Sequence, residues 1–437
     1  MFKKQITAPY IIFAIYILLT LALNVWGPKK YLYYNYQIEV VIYILIFLIL
    51  FWRGYSIGIK KKDKENTNYK NGVDTMLGQL SIWINISVLL YVFFAFYLFS
   101  SGKLYLNILE MGANYVTFNE EYESGGTFTI ENVFLVLAAI PKFYSLCLGF
   151  LLFNKLTKYV KLKLVVLVLL IIICHTISAG NQKSIGDIVI LFVMSRVYYL
   201  SQYSKEKKKR ILKRLLLLGC GFYFLMCFSQ YSRLQFVGIE GVDDLNSRMR
   251  PYVYFDKNHV LFKTLGEDVG LGVASFTTGY LTDGYYGLSK CMELPFEWTY
   301  GVGSSDGLGT VFEKITGVKI YENTYLGRME KTYWNIDLNG RSQWHSVFPW
   351  LASDFTFVGA LIIFYFIGML YGRCWKDILV TGNMYSYVLF SLISICLIFV
   401  PCNNQIWQGY DYIVITSFTF LSWLRNHSKY KIWEINC

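Results

Sequence analysis

The chain has 437 residues, of which 55% are hydrophobic, 19% aromatic and only 16% charged. Soluble domains carry about 25% charged residues, so this composition excludes a soluble enzyme, a disordered chain and a collagen-like fibre. The net charge of +12 does not point to nucleic acid. Its Lys and Arg residues sit in short clusters between apolar runs, the pattern of loops held in the cytoplasm during membrane insertion.

A helix needs roughly 20 apolar residues to cross a hydrocarbon layer. On that measure the sequence predicts an all-α polytopic membrane protein of ten spans, at 10–27, 37–53, 77–100, 131–153, 164–180, 184–200, 215–231, 347–371, 384–401 and 406–424. The first run follows the basic residues Lys3 and Lys4 as a signal peptide would. It is long and lacks a small-residue cleavage pattern, so it reads as an uncleaved helix.

Orientation follows from the basic clusters. Lys3 and Lys4; Arg53, Lys60, Lys61, Lys62, Lys64 and Lys70; Lys155, Lys158, Lys161 and Lys163; the 205–214 run; Arg373 and Lys376; and Arg425, Lys429 and Lys431 alternate onto one side. The opposite short loops hold mainly Lys29, Lys30, Lys103 and Lys183, together with the acidic Glu110, Glu120, Glu121 and Glu123. The positive-inside rule then makes both termini cytoplasmic. The expected organisation is seven spans in 1–231, one large extracytoplasmic loop over 232–346, and three spans with a cytoplasmic tail in 347–437. Loops of that size are usually functional, and this one is expected to hold short helices lying against the membrane. Of nine Cys, only Cys291 lies well inside a long polar region, while Cys437 is terminal, so no disulfide framework is expected.

Several motifs carry candidate chemistry. The Gly301–Gly309 stretch resembles a phosphate-cradling loop, but it follows no apolar strand and lacks a Lys-Ser/Thr ending. It reads as a flexible turn region. No CxxC, HExxH or EF-hand spacing occurs, so no metal or cofactor is expected. In the short hairpin between spans five and six, Ser184 and Asp187 have capping-box spacing. Lys183 there is either an interfacial side chain or, with the helix dipole, an anion site. Arg233, Arg248 and Arg250 fall within eighteen positions. They can clasp a pyrophosphate bidentately, or pair with Glu240, Asp243, Asp244 and Asp256 nearby.

The entry to span eight runs from Arg341 through Trp344, His345, Ser346 and Pro349 to Asp354 and Gly359. An ionisable Asp354 inside an apolar helix is a functional candidate by default. Pro favours a first helical turn, which leaves His345 in the loop, free to bend over the helix end. Tyr252, Tyr254, Phe255, Tyr280, Tyr285, Tyr286, Trp298, Tyr300, Trp334 and Trp344 crowd the long loop. Amphipathic rings suit a membrane interface, which accounts for most of them.

The 178–183 hairpin, Ser-Ala-Gly-Asn-Gln-Lys, is similar to the small-residue-plus-basic turn of the Wzy-type O-antigen and capsule polymerases and the related O-antigen ligases. The His345-Ser-(x)7-Asp354-(x)4-Gly359 run resembles that family's His-Asn…Leu…Glu-Leu-Gly pattern, and the layout of about ten spans with one dominant outer loop also fits. Lys183 stands where Arg is commoner, Ser346 where Asn is, and Asp354 where Glu is; no Arg-x10-Gly pattern follows Arg233, Arg248 or Arg250.

The resemblance implies a metal-independent, all-helical glycosyltransferase in the bacterial cytoplasmic membrane. It would polymerise undecaprenyl-pyrophosphate-linked oligosaccharide repeat units at the outer face, with membrane lipid and a chain-length regulator as further partners and no nucleic acid. Lys183, Arg233, Arg248 and Arg250, with Arg341 in reserve, would hold the pyrophosphate. His345 would take the proton of the attacking hydroxyl and Asp354 would orient it. A polysaccharide ligase fits the same features. A lipid-linked oligosaccharide flippase is disfavoured by the large loop, and a membrane acyltransferase by the absence of any His before His175.

Overall fold

The computed structural model describes residues 2–60, 73–107, 114, 129–202, 205–249, 252–336, 338–341, 343, 345–380 and 383–426. Expectations placed on Arg250, Trp344, Cys437, Lys61, Lys62, Lys64, Lys70, Glu110, Glu120, Glu121, Glu123, Lys429 and Lys431 lie outside these residues.

In chain order the chain forms α1 (Phe2–Trp26), β1 (Lys29–Tyr31), α2 (Gln37–Lys60), α3 (Val73–Ser100), α4 (Ile130–Leu151), α5 (Lys158–Ile171, running on as a π-turn over Ile172–Ile177), α6 (Gln182–Gln202) and α7 (Lys205–Phe236). Short pieces follow: α8 (Val242–Arg248), β2 (Val253–Phe255), α9 (Val260–Leu265), α10 (Glu267–Ala274), α11 (Asp283–Met292), α12 (Asp306–Thr316) and α13 (Tyr325–Thr332). The chain closes with α14 (Phe348–Val380), α15 (Met384–Phe399) and α16 (Tyr410–Asn426).

Among the described residues seven helices are long and apolar enough to cross a membrane: Ile6–Trp26, Gln37–Lys60, Leu77–Ser100, Ile130–Leu151, Lys158–Ile177, Glu206–Phe236 and Phe348–Val380. The other three expected spans are helical too. However, α6 carries Lys183, Asp187 and Arg196, and α15 and α16 have only 16 and 17 residues.

Two compact units divide the chain. The first holds Met1–Lys60, Tyr223–Gly372 and Cys396–Gly409; the second holds Lys61–Phe222, Arg373–Ile395 and Tyr410–Cys437. In the second unit, Thr129 and Thr157 cap α4 and α5, their side chains accepting from the Asn132 and Val160 amides. Each cap satisfies a donor that the first helical turn leaves orphaned.

In the first unit α2 lies against α14 through small residues. A Cβ on Gly54 would lie 1.9 Å from the Tyr365 carbonyl oxygen, and those on Gly368 and Gly372 would lie 2.5 and 2.4 Å from the Phe51 and Tyr55 carbonyls. Small residues that admit a neighbouring backbone are a standard solution in membrane bundles, where van der Waals packing rather than hydrophobic transfer joins helices. Beside that seam Phe47 packs edge-on to Phe348 and Phe364, with centroids 5.2 and 4.9 Å apart.

The entry to α14 is not one continuous helix. Thr356 has φ 64° and ψ 166°, which breaks the helix after Phe355. Positive φ is strained for a β-branched residue. The break is bridged by the Gly359 amide donating to Thr356 Oγ1 (3.2 Å) and by the Tyr43 hydroxyl donating to the Phe357 carbonyl (2.8 Å).

Between α7 and α14 the short helices build cores of their own. One gathers Tyr252, Tyr286, Cys291, Tyr325, Met329 and Trp350; the other gathers Ile239, Val242, Leu245, Phe255, Phe262 and Leu271. This corrects the interfacial assignment for four of the aromatics: Tyr252, Phe255, Tyr285 and Tyr286 are buried, whereas Tyr254, Trp298, Tyr300 and Trp334 are exposed. Strand β1 pairs antiparallel with β2, Lys29 opposite Phe255 and Tyr31 opposite Val253, a small sheet in a fold read as all-α.

Gly54→Ala is expected to lower stability by about 1–3 kcal/mol through overpacking, whereas Gly78→Ala, at a helical position with open space around it, raises it by about 0.5–1 kcal/mol. Thermal unfolding of the detergent-solubilised variants checks this; equal melting temperatures would remove the seam.

Candidate functional site

The first unit holds a cavity of about 270 Å³ whose walls include Lys29, Tyr31, Arg248, Tyr252, Asp283, Tyr286, Gln343 and His345. Strand β1 presents Lys29 and Tyr31, and the first turn of α11 presents Asp283. A carboxylate there also faces the positive end of the helix. The Lys29 ammonium lies 2.5 and 2.6 Å from the two Asp283 oxygens, and the Tyr31 hydroxyl donates to the same carboxylate. Burial pushes the Tyr31 phenol up, and the neighbouring Asp283 charge pushes it further, so it stays a donor.

Three rings form one wall. Tyr286 stacks on Tyr31 (4.7 Å, 12°) and on Tyr252 (5.1 Å, 4°). The hydroxyls of the outer pair stay engaged: Tyr31 on Asp283, and Tyr252 on Gln343 Oε1 at 3.2 Å.

His345 stands in the loop before α14 and is 2% exposed. Its Nε2 lies 2.6 Å from the Asn339 carbonyl oxygen. A carbonyl only accepts, so Nε2 carries the proton and a neutral ring has its lone pair on Nδ1. That nitrogen faces α11 at Gly287, where a Cβ would lie 2.2 Å from it. Asp283 and Gly287 are one turn apart on one face of α11.

The other sequence candidates lie in different settings. Arg248 ends α8 and lines the cavity, yet it also makes the ordinary pairing foreseen for it, with Asp244 (2.9 Å) and the Val237 carbonyl (2.9 Å). Arg233 is near the end of α7. Arg341 stacks over Tyr321 (4.0 Å), pairs with Asp306 (3.4 Å) and lines a separate, smaller cleft. Burial pushes the Asp306 carboxyl up and the Arg341 charge opposes that. Arg250 lies outside the described residues.

Asp354 does not orient His345. Its Oδ1 accepts from Thr299 Oγ1 (2.6 Å) and the Gly301 amide (2.9 Å), and its Oδ2 from the Ser304 amide (2.7 Å). The 299–305 turn is therefore clamped rather than flexible. Asn404 adds a bond to the Ser304 carbonyl (2.9 Å), and Ser305 caps α12.

Lys183 belongs to the second unit. The capping box expected from Ser184 and Asp187 does not form: α6 begins at Gln182, Asn181 Oδ1 accepts the Lys183 amide (2.9 Å), and Asp187 pairs with the Lys183 ammonium (2.9 Å). The Tyr412 hydroxyl donates to Asp187, and the Lys183 ammonium sits 3.6 Å above the Tyr412 ring. Lys142 and Asp411 form a second buried pair at 2.9 Å.

Sequence reading missed Lys29, Tyr31 and Asp283. A signal was present: Lys29 and Lys30 break the charge rule in an otherwise lysine-poor loop.

Seven helices long and apolar enough to cross a membrane, among the described residues, define an all-α polytopic membrane protein. No family model matches the chain, and no curated protein or solved structure matches it.

Asp354→Ala is expected to cost about 1–3 kcal/mol, because it strands the buried Ser304 amide and takes the charged acceptor from the Gly301 amide, while the Thr299 hydroxyl keeps the Ser353 carbonyl at 2.9 Å. Limited proteolysis within residues 299–305 is the check; an unchanged cleavage rate would refute the clamp.

Proposed function

We propose that this protein is a membrane glycosyltransferase that polymerises undecaprenyl-pyrophosphate-linked oligosaccharide repeat units at the outer face of the bacterial cytoplasmic membrane. The observation that carries this reading is the cavity: two cations, Lys29 and Arg248, share a space with a Tyr-lined wall, a carboxylate and an imidazole. Transfer of a sugar from a lipid diphosphate needs that set. The anomeric carbon already bears its leaving group, so the protein must stabilise the departing diphosphate, seat the sugar faces and accept a proton. The Wzy-type resemblance of the 178–183 and 345–359 segments points to the same reaction.

Hydrogen bonding across the chain supports the ten-span reading. Strands that pair lie on one side of a membrane, so an even number of crossings separates β1 from β2. Five of the seven apolar helices fall between them, from Gln37–Lys60 to Glu206–Phe236, and counting α6 makes the number even. Likewise the Ser346 and Val347 amides donate to the Cys402 and Val400 carbonyls (2.8 and 3.2 Å), with α14 and α15 between. That supports α15 as a crossing; α16 then completes ten, which puts both termini on one side, and the basic clusters make that side the cytoplasm.

Two experiments check the reading. Lys257→Cys, at an exposed lysine, is expected to react with a membrane-impermeant maleimide on intact cells; reaction only after permeabilisation would place the cavity inside. Arg248→Ala and His345→Ala are each expected to abolish long polymer and leave single-repeat lipid intermediates at normal protein level. Wild-type chain lengths from both variants would end the proposal.

A further inference from the structure

We infer that Lys29 and Asp283 form a ligand-released pair: a diphosphate entering the cavity draws the Lys29 ammonium off Asp283, and the freed carboxylate then accepts the proton of the attacking sugar hydroxyl. The second half of this inference rests on the glycosyl-transfer reading; the first half does not.

The resting geometry sets up the exchange. Lys29 is only 8% exposed at its side chain and spends its charge on both oxygens of one carboxylate. Both residues face the cavity together with Arg248. A diphosphate carries more negative charge than a single carboxylate, and its oxygens compete directly for the ammonium. Lysine suits the exchange because its charge is compact and its stem is flexible, whereas a planar Arg–carboxylate fork holds its geometry. Once Lys29 has turned, Asp283 keeps the Tyr31 hydroxyl and one oxygen is left open to the cavity.

The same geometry decides between the two candidate proton acceptors. His345 is 2% exposed, its Nε2 already donates to Asn339, and its remaining nitrogen is packed against Gly287. Asp283 is 27% exposed at the cavity wall. In the transfer the acceptor oxygen bonds to the anomeric carbon and its proton passes to the Asp283 carboxylate. The bond from that carbon to the diphosphate oxygen breaks, and the diphosphate leaves with the electron pair onto Lys29 and Arg248. His345 is then a positioning residue that braces α11 one turn beyond Asp283.

The test uses the full-length protein in detergent micelles, titrated with inorganic pyrophosphate and, separately, with glycerol phosphate, alongside elongation of lipid-linked repeat units. Asp283→Asn is expected to bind pyrophosphate about tenfold more tightly, because the competing carboxylate is gone, and to lose about 100-fold or more in elongation. Lys29→Met is expected to lose pyrophosphate binding. The double variant Lys29→Met/Asp283→Asn leaves no buried charge unpaired, so it is expected to fold like the wild type and still bind no pyrophosphate.

Pyrophosphate binding by the double variant at wild-type strength, or loss of binding in Asp283→Asn alone, would overturn the released pair. Wild-type elongation by Asp283→Asn would overturn its role as proton acceptor. Equal affinity for glycerol phosphate would make this a phospholipid headgroup site and overturn the diphosphate assignment. A wild-type protein that elongates nothing, yet shows the expected pyrophosphate pattern across the variants, supports the released pair and sinks the polymerase reading instead.

Discussion

Three residues of β1 hydrogen-bonded to three of β2 hold the cavity together. Lys29 comes from the turn after α1, whereas Arg248, Asp283 and His345 come from residues more than two hundred positions later. Nothing local in either segment fixes their separation. The ladder does, helped by the Asp256 amide on the Pro28 carbonyl (2.8 Å), the Leu32 amide on the Tyr252 carbonyl (2.7 Å) and His259 Nε2 near the Trp26 carbonyl (3.1 Å). A two-stranded ribbon is marginal alone in water. Here it is backed by the core containing Tyr252, Val253 and Tyr286, so register, ring stack and ion pair support one another.

A second constraint works at the mouth of α14. An ionised Asp within an apolar helix is expensive unless its oxygens are satisfied, and Asp354 meets that demand with three donors from the 299–304 turn. The cost of burying the charge is thereby offset by three hydrogen bonds that order a glycine-rich turn, which Asn404 holds from its other side. Ser353 ties in the same region, accepting the Tyr325 amide at 3.0 Å. The break at Thr356 ends this first stretch of helix before the long apolar stretch begins. On this account Asp354 is an architectural anion, which explains both its place in the sequence and its distance in role from His345.

How much of this was legible in the sequence depends on the range of the interaction involved. Apolar runs are local, so the helices could be read directly, and Pro349 correctly left His345 in the loop. Arg248 stood out by its neighbours. The helix break at Thr356 carries no Pro or Gly signature and could not be read. Asp354 invited a catalytic role because its partners, backbone amides fifty residues away, leave no trace in the spelling of the chain. Asp283 was hidden for the opposite reason: it sits in a polar segment where one more acid is unremarkable, and only the sheet register brings Lys29 to it. The 178–187 hairpin misled through short-range logic. Ser184 and Asp187 had cap spacing, but Asn181 reached the helix start first and Asp187 went to Lys183.

That last exchange also separates Lys183 from Lys29, although each holds a carboxylate at close range. Within the second unit the Lys183–Asp187 pair has committed neighbours: Tyr412 on Asp187, and Asp411, the residue before it, on Lys142. Removing one partner from such a set strands a largely buried charge, a change that costs several kcal/mol, so the pairs resist separation. Among the described residues neither cavity is lined by Lys183. The Lys29–Asp283 pair has the same electrostatics but a different boundary, because one side of it is open space large enough for a ligand. A pair at a cavity wall can be taken apart by an incoming anion at little net cost, since the ligand supplies the charge that the carboxylate gives up.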